Sequence, residues 1–437
     1  MKPIQNYKYC KKQYNKIKLK VLDLYGAYEN KERISILLEY WFWNIRNILK
    51  VFGEQGLREF LYSDMSSPLR FAIYKTSNEY QDLNFENKSN KFIFYFIKFF
   101  GSKLYLQGAN LSSLNKRIVG KISRKIVKSI PIYKDFKLRK EIISLSLNYF
   151  SDFEIEDLQK MLLKKLPVIF FAKPVSILNK NLLINIECCA SCFLEFNNYE
   201  NVFLLNKKIF IKGLQHGGGY DCFKIDYSTD FEKLLCDEFF GWGLSKFNVK
   251  QHRFHKFPQE NIKTIFQKRI IWIEDSNFPD FYSMLLPSHY LQSKNLKNAE
   301  YIYSEMKRLK YEYVNLVHPV LPADKYKNYR KKLILRNSRK GESLFLPNDI
   351  GIFDTSVSTL IHFFVENNMP FIQVIDRSEF DLFTNNQKNW FNVLYNFELG
   401  CFNDEIGRLN SSIQKIMKNN YILNSDVISF HKKVFYS

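Results

Sequence analysis

Glycine and proline are scarce in this chain, 16 and 12 of 437 residues, and no segment recurs with a period of roughly 20–50 residues. Collagen-like, linker-like and solenoid architectures are thereby excluded. Long apolar runs are also lacking. The most apolar stretches, 91–106 and 166–178, are interrupted by lysines and fall short of the roughly 20 residues of a spanning helix. The opening MKPIQNYKYCKKQYNKIKLKV is basic but lacks an apolar core and a small-residue cleavage site, so no secretory signal is expected. Seven cysteines, an odd number without paired spacing, suit a reducing compartment. The expected location is the cytoplasm or the inner face of the cytoplasmic membrane. Cys189 and Cys192 form a C-x-x-C, but neither a second pair nor a histidine cluster follows, and buried thiols are expected there rather than a metal site.

What is present is a hydrophobic fraction of 46%, enough for two cores, and a formal charge of +21. A positive field draws anionic partners. The lysines are spread along the chain rather than gathered in a reading motif, so nucleic acid is not the expected partner. The accompanying abundance of asparagine, isoleucine, phenylalanine and tyrosine is also what AT-rich codons favour, so charge alone decides little.

Patterning divides the chain. ERISILLEYWFWNIRNILKVFGEQGLREFL, 32–61, has apolar residues at helical spacing with few breakers and reads as one or two amphipathic helices. Residues 90–139 continue in helical and mixed character, 153–163 is a further short helix, and the first 165 residues read as mainly helical. LPVIFFA (166–172) and KIFIKGLQHGGGY (208–220) are then short apolar runs closed by loop residues, the form of buried parallel strands. Beyond Trp242 strands and helices alternate. Strands are expected at 269–276, 313–319, 350–354 and 370–375, with helices at 288–310, 356–367 and 404–418. This rhythm implies a parallel sheet covered by helices on both faces. A boundary is expected near 243–258, dividing the chain into an N-terminal domain of residues 1–245, an α/β domain of residues 246–415 and a tail, 416–437, that packs back.

In an open α/β sheet, ligands sit beyond the carboxyl ends of the strands, which directs attention to three places. Gln215-His216-Gly217-Gly218-Gly219-Tyr220 follows KIFIKGL. Successive glycines let backbone N–H groups form a concave nest for an anion, with His216 at its lip as proton acceptor or counter-charge. A plain turn with a structural histidine explains the same residues. His318-Pro319 closes YVNLV, the proline holding the histidine at the strand tip. Asp354-Thr355-Ser356-Val357-Ser358-Thr359 precedes an apolar helix, and hydroxyls at a helix N-terminus both cap it and favour an anion. Ordinary capping would need only one of them.

QHGGGYD followed by FEKLLCDEFFGWGLS resembles the signature block of the leptospiral-type surface-carbohydrate transferases. The matching positions are Gln215, His216, Gly217, Gly218, Tyr220, Glu232, Asp237, Phe239, Trp242 and Gly243. Three positions depart from the block: Asp221 stands for a glycine, Leu244 for a second tryptophan and Cys236 for a serine. His318-Pro319 and the 354–359 cluster are similar to the His-Pro and Ser/Thr motifs of bacterial sialyltransferases, Kdo transferases and CDP-glycerol polymerases. EYWFWNIRNIL, 39–49, resembles the family's Tyr-Trp helix.

The resemblance implies an α/β, GT-B-like fold of two Rossmann-like domains with a helical N-terminal elaboration. It also implies a glycosyltransferase with a nucleotide-activated, CMP-linked donor. His216 and Glu232 become the expected catalytic pair. Gly217, Gly218, Gly219, His318, Pro319, Asp354, Ser356, Ser358 and Thr359 would face the donor, and Gln215, Tyr220 and Asp237 the acceptor. No Asp-x-Asp motif is present, so no metal and no cofactor beyond the donor are expected, the leaving phosphate being met by helix dipoles and side chains. The expected acceptor is a lipid-linked glycan or polysaccharide, reached by peripheral contact with an anionic membrane. A glycerophosphotransferase, a nucleotide-sugar epimerase, a non-catalytic scaffold and a nucleic-acid-binding protein are the alternatives.

Overall fold

The computed structural model describes residues 3–63, 103–107, 130–155, 158–176, 183–188, 190–194, 196, 199–215, 220, 222–224, 227–241, 269–274, 288–309, 313–317, 333–334, 345–356, 358–418 and 423–435. The chain forms two compact units. One comprises 1–216 and 227–240, the other 217–226 and 241–437. The 217–226 segment thus leaves the first unit after one of its strands and belongs to the second.

The first unit is built around helix α2 (Lys31–Tyr62), flanked by α1 (Pro3–Tyr25), α3 (Phe136–Tyr149) and α4 (Leu158–Lys165). Residues 41–49 of α2 are buried on every side, and two polar members of that stretch are partnered, Asn44 donating to the Tyr40 carbonyl at 2.9 Å and Arg46 to Asp152. Gly53 breaks the helix at φ 66°, ψ −167°, a conformation open to glycine because it has no Cβ. The core here is aromatic: Phe42 meets Tyr149 at 5.4 Å and Phe150 at 5.7 Å between ring centroids. At the α1–α2 turn the Asn30 amide donates to the carbonyls of Leu205 and Lys207, both at 3.0 Å.

Beside the helices lies a four-stranded parallel sheet, in the order β1 (Lys103–Gln107), β2 (Leu183–Cys188), β3 (Ile209–Leu214), β4 (Glu238–Phe240). Helices α5 (Ser191–Leu194) and α6 (Tyr227–Leu235) connect its strands. Strand β1 falls within the part read from sequence as helical and mixed. LPVIFFA also corrects the expectation. It is not a strand: after Pro167, Val168–Phe171 turn as a 3₁₀ helix, with Ile169, Phe170 and Phe171 buried. An apolar run that short carries no period that separates a buried strand from a buried turn.

Among the described residues the second unit holds six parallel strands: β5 (Ile270–Glu274), β6 (Tyr313–Val317), β7 (Leu333–Ile334), β8 (Ile350–Phe353), β9 (Phe371–Ile375) and β10 (Gly400–Phe402). Their spatial order is β10-β9-β8-β5-β6-β7. Taking β5 as the first strand, this is the 3-2-1-4-5-6 arrangement of the Rossmann fold, with its topological switch point between β5 and β8. The helices are α7 (Ser288–Leu309), α8 (Thr359–Glu366), α9 (Arg377–Phe380), α10 (Asn385–Asn396), α11 (Arg408–Lys418) and α12 (Ser425–Phe435). The central strands β8 and β9 are buried throughout. A Cβ added to Gly351 of β8 would come within 2.7 Å of the Phe364 ring, so only glycine lets α8 sit this close to the strand. The last helix, α12, packs on α10 and α8. Among the described residues no helix is long and apolar enough to cross a membrane.

Candidate functional site

In the second unit the chain leaves β8 at the switch point and enters the 354–358 loop before α8. Asp354 is fully buried, and the indole Nε1 of Trp272 on β5 donates to its Oδ2 at 3.2 Å. That bond spans the two strands on either side of the switch. Three side-chain amides then take three successive carbonyls of the loop. Asn298 of α7 donates to the Asp354 carbonyl at 3.1 Å, Gln373 of β9 to that of Thr355 at 3.0 Å, and Gln387 of α10 to that of Ser356 at 3.1 Å. The described peptides are all trans. In a planar trans peptide the N–H lies opposite the C=O, so the N–H groups of Thr355 and Ser356 point away from these amides. Thr355 is half-buried. These two N–H groups thus lie on the side of the loop opposite the amides, immediately before the positive end of α8.

The hydroxyls of Ser356 and Ser358 are engaged within the fold. Ser356 donates to the Glu379 carboxylate, with both side chains buried. Ser358 is the N-cap of α8, its Oγ accepting from the N–H of Leu360 at 3.3 Å. Thr359 opens α8, and its side chain lies outside the described residues. His318 and Pro319, just past β6, also lie outside them.

The carboxyl edge continues past β9 and β10. The Asn403 amide donates to Asn298 Oδ1 at 2.8 Å and to Asp376 Oδ2 at 3.3 Å, so one chain of hydrogen bonds runs along the ends of β8, β9 and β10. Beside it opens a cavity of about 670 Å³, walled by Lys297, Tyr301 and Ser304 of α7 and by Asp376, Arg377 and Asn403. Arg377 is held at Asp404, 2.7 Å away, and lies 4.1 Å from the Phe402 ring centroid. The hydrogen bond to Asp404 raises the pKa of Arg377.

In the first unit Gln215 follows β3 directly, is buried, and donates its N–H to the Phe240 carbonyl at 2.9 Å. Glu232 is buried on α6. Burial pushes the nearby Cys236 thiol up, and the Glu232 charge adds to the effect. Asp237 forms a structural tie: its Oδ2 accepts from Arg33 at 2.6 Å and from the Ile211 N–H at 2.7 Å, joining the start of α2 to β3. Tyr220, in the 217–226 segment of the second unit, is buried. A little further on, Phe223 bridges to Phe383 in antiparallel fashion. His216, Gly217, Gly218 and Gly219 lie outside the described residues, as do Trp242 and Gly243.

The described cysteines are free thiols. Cys192 lies with its sulfur 3.9 Å from that of Cys188, and Cys189 lies outside the described residues. Among the described residues no group of His, Cys, Asp or Glu is arranged to hold a metal ion.

Trp272, Asn298, Gln373, Gln387, Asp376 and Asn403 were not singled out from sequence. Gln373 carried a signal, a polar residue inside the apolar run FIQVI. So did Asp376, directly after that run. Asn403 follows the three-residue strand GCF, which has no detectable pattern. Compared with protein-family models, with curated proteins and with solved structures, the chain has no match.

Proposed function

We propose that this protein is a glycosyltransferase of GT-B-like organisation, moving a nucleotide-activated, CMP-linked sugar onto a surface polysaccharide or lipid-linked glycan. The observation that carries the reading is the 354–358 loop. It lies at the switch point of a Rossmann-ordered sheet, the carbonyls of Asp354, Thr355 and Ser356 are held by Asn298, Gln373 and Gln387, and the N–H groups of Thr355 and Ser356 face away from those amides. Such a loop suits the phosphate of a nucleotide. Backbone N–H groups, rather than the engaged hydroxyls of Ser356 and Ser358, make the phosphate contact in this reading. In this reading His318, just past β6 and so one strand beyond β5, meets the nucleotide from the other side of the switch point.

The resemblance of the 215–243 block to surface-carbohydrate transferases supports the choice of sugar transfer over other nucleotide chemistry. In this reading His216 takes the acceptor hydroxyl's proton or balances the leaving phosphate, and the glycines bring the backbone close. Glu232 sets the electrostatics of that end of the first unit from its buried place on α6.

Calorimetric titration with CMP, CDP, UDP and GDP tests this reading. Selective binding of cytidine nucleotides, weakened at least tenfold by His318→Ala, is the expected result. Selective UDP or GDP binding would retain a nucleotide site and discard the CMP donor. Absence of binding to all four would overturn the transferase reading.

A further inference from the structure

Helix α1 has two unlike sides. Cys10, Tyr14, Ile17, Val21 and Tyr25, spaced three and four apart, are at most 3% exposed. The opposite stripe carries Lys8, Lys12 and Lys16, with Lys20 at its flank, all exposed, and Asp23 as its acidic member. Within this basic stripe Leu19 stands 74% exposed.

Helix α3 lies alongside in the opposite direction. Near one end Tyr14 and Tyr149 are 6.4 Å apart between ring centroids. Near the other, Tyr28, just past α1, senses the Asp135 charge at the start of α3. The exposed side of α3 adds Lys137 and Lys140, and Lys134 precedes it. Here too apolar side chains face solvent: Phe136 at 61%, Tyr133 at 56%, Ile132 at 38% and Leu147 at 37%.

The concentration is the informative point. Single exposed apolar residues are ordinary. Of the large exposed apolar side chains among the described residues, only Tyr62, Leu234 and Ile406 lie elsewhere. The acidic groups on this surface are fewer than the lysines, and two of them are engaged. Asp135 caps α3 by accepting from the N–H groups of Lys137 and Leu138, both at 3.0 Å, and Glu141 lies 3.9 Å from Lys137.

We propose that the α1–α3 face docks the protein on an anionic phospholipid bilayer. The α1 axis lies in the headgroup plane, its lysines among lipid phosphates, while Leu19, Phe136 and Tyr133 enter the acyl boundary. Charge complementarity selects an anionic partner. The aliphatic Leu19, Ile132 and Leu147 select a lipid surface over nucleic acid, since bases stack on aromatic rings and guanidinium groups. Among the described residues no helix spans a bilayer, and the docking is peripheral. The inference does not rest on the transferase reading, because it concerns a separate surface of the first unit and is measured without nucleotide or acceptor.

The experiment is co-sedimentation of the full chain with sucrose-loaded vesicles, either pure phosphatidylcholine or three parts phosphatidylglycerol to seven of phosphatidylcholine. Binding to the anionic vesicles alone is expected. Lys8→Gln/Lys12→Gln/Lys16→Gln should weaken it on the order of 100-fold, each lysine near an anionic surface counting for several-fold, with an unchanged circular dichroism spectrum. Leu19→Ser/Phe136→Ser should leave weak binding that salt abolishes. Equal affinity for both vesicle types, full binding by the triple variant, or tighter binding of single-stranded RNA than of vesicles would each overturn the proposal.

Discussion

Nδ1 of His362 on α8 lies 2.9 Å from Nε2 of His431 on α12, and both rings are buried. At that distance one hydrogen lies between the two nitrogens, so the pair is accommodated with both rings neutral. Protonating both rings would set two N–H groups against each other, and a single added proton puts a charge on a buried ring. Burial moves His431 well below its ordinary value of 6.5, and the His362 and Lys432 charges act in the same direction.

The sign of the pH effect follows. A histidine held neutral in the fold takes up a proton more readily when unfolded, so its contribution is complete above about 6.5 and is lost as pH falls below it. Glu39 tilts the other way. Burial pushes it up to about 7, with Lys11 and Lys18 opposing, so its contribution is complete below about 4.5 and lost as pH rises through 7. Melting temperatures of wild type and of His362→Gln/His431→Gln should therefore be compared between pH 7.5 and 5. The wild type should lose more on acidification than the variant. Parallel curves would dismiss the histidine pair as the cause.

Gln387→Leu removes the amide that holds the Ser356 carbonyl, and Gln373→Leu the one that holds Thr355. Each leaves an acceptor without its donor, buried at Ser356 and half-buried at Thr355, which costs about 1–3 kcal/mol, less at the more exposed site. Urea unfolding should register that loss in the second unit. Cytidine nucleotide affinity should fall by at least tenfold under conditions where the variants remain folded. Retained affinity would place the phosphate away from this loop.

Arg46 is buried beneath Asp152, which receives both of its terminal nitrogens. Burial opposes the charge on Arg46, but the Asp152 hydrogen bonds prevail and its pKa rises. The rings of Tyr9 and Phe153 each have their centroids 4.8 Å from the guanidinium carbon. Asp152→Ala leaves the guanidinium without its carboxylate. It should cost about 1–3 kcal/mol, the partial exposure of Asp152 moderating the loss. Arg46→Met/Asp152→Ala should recover most of that, because an apolar side chain can pack against the same rings. A denaturant titration in which the double variant is the less stable of the two would reverse the argument.

The α/β rhythm of the second unit was legible because its longer strands are short, mostly apolar runs and its helices have their own period. Strands β5, β6, β8 and β9 and helices α7, α8 and α11 fall where the pattern places them, within a few residues. The break of α2 at Gly53 was foreshadowed by the choice between one helix and two. Strands β4, β7 and β10 have three, two and three residues, too few for any period to show. Helix α10 (NNQKNWFNVLYN) begins with polar residues that resemble a loop, and Thr384, which caps it by accepting from the Gln387 N–H at 3.3 Å, carries no signal by itself.

The sequence by itself determined that the chain is α/β, that strands and helices alternate beyond Trp242, and that the residues after 353 stand at the end of a strand. Those are consequences of local periodicity and turn chemistry. Only the tertiary structure decided the strand order, and with it the placement of the 354–358 loop at the switch point. It also decided the pairing of Trp272 with Asp354 and the capture of three carbonyls by Asn298, Gln373 and Gln387. Those partners come from different strands and helices, up to 82 residues from the loop residue they contact. Spacing along a chain records which face a residue shares with its neighbours, and hydrogen bonds between distant elements are set by how the layers pack.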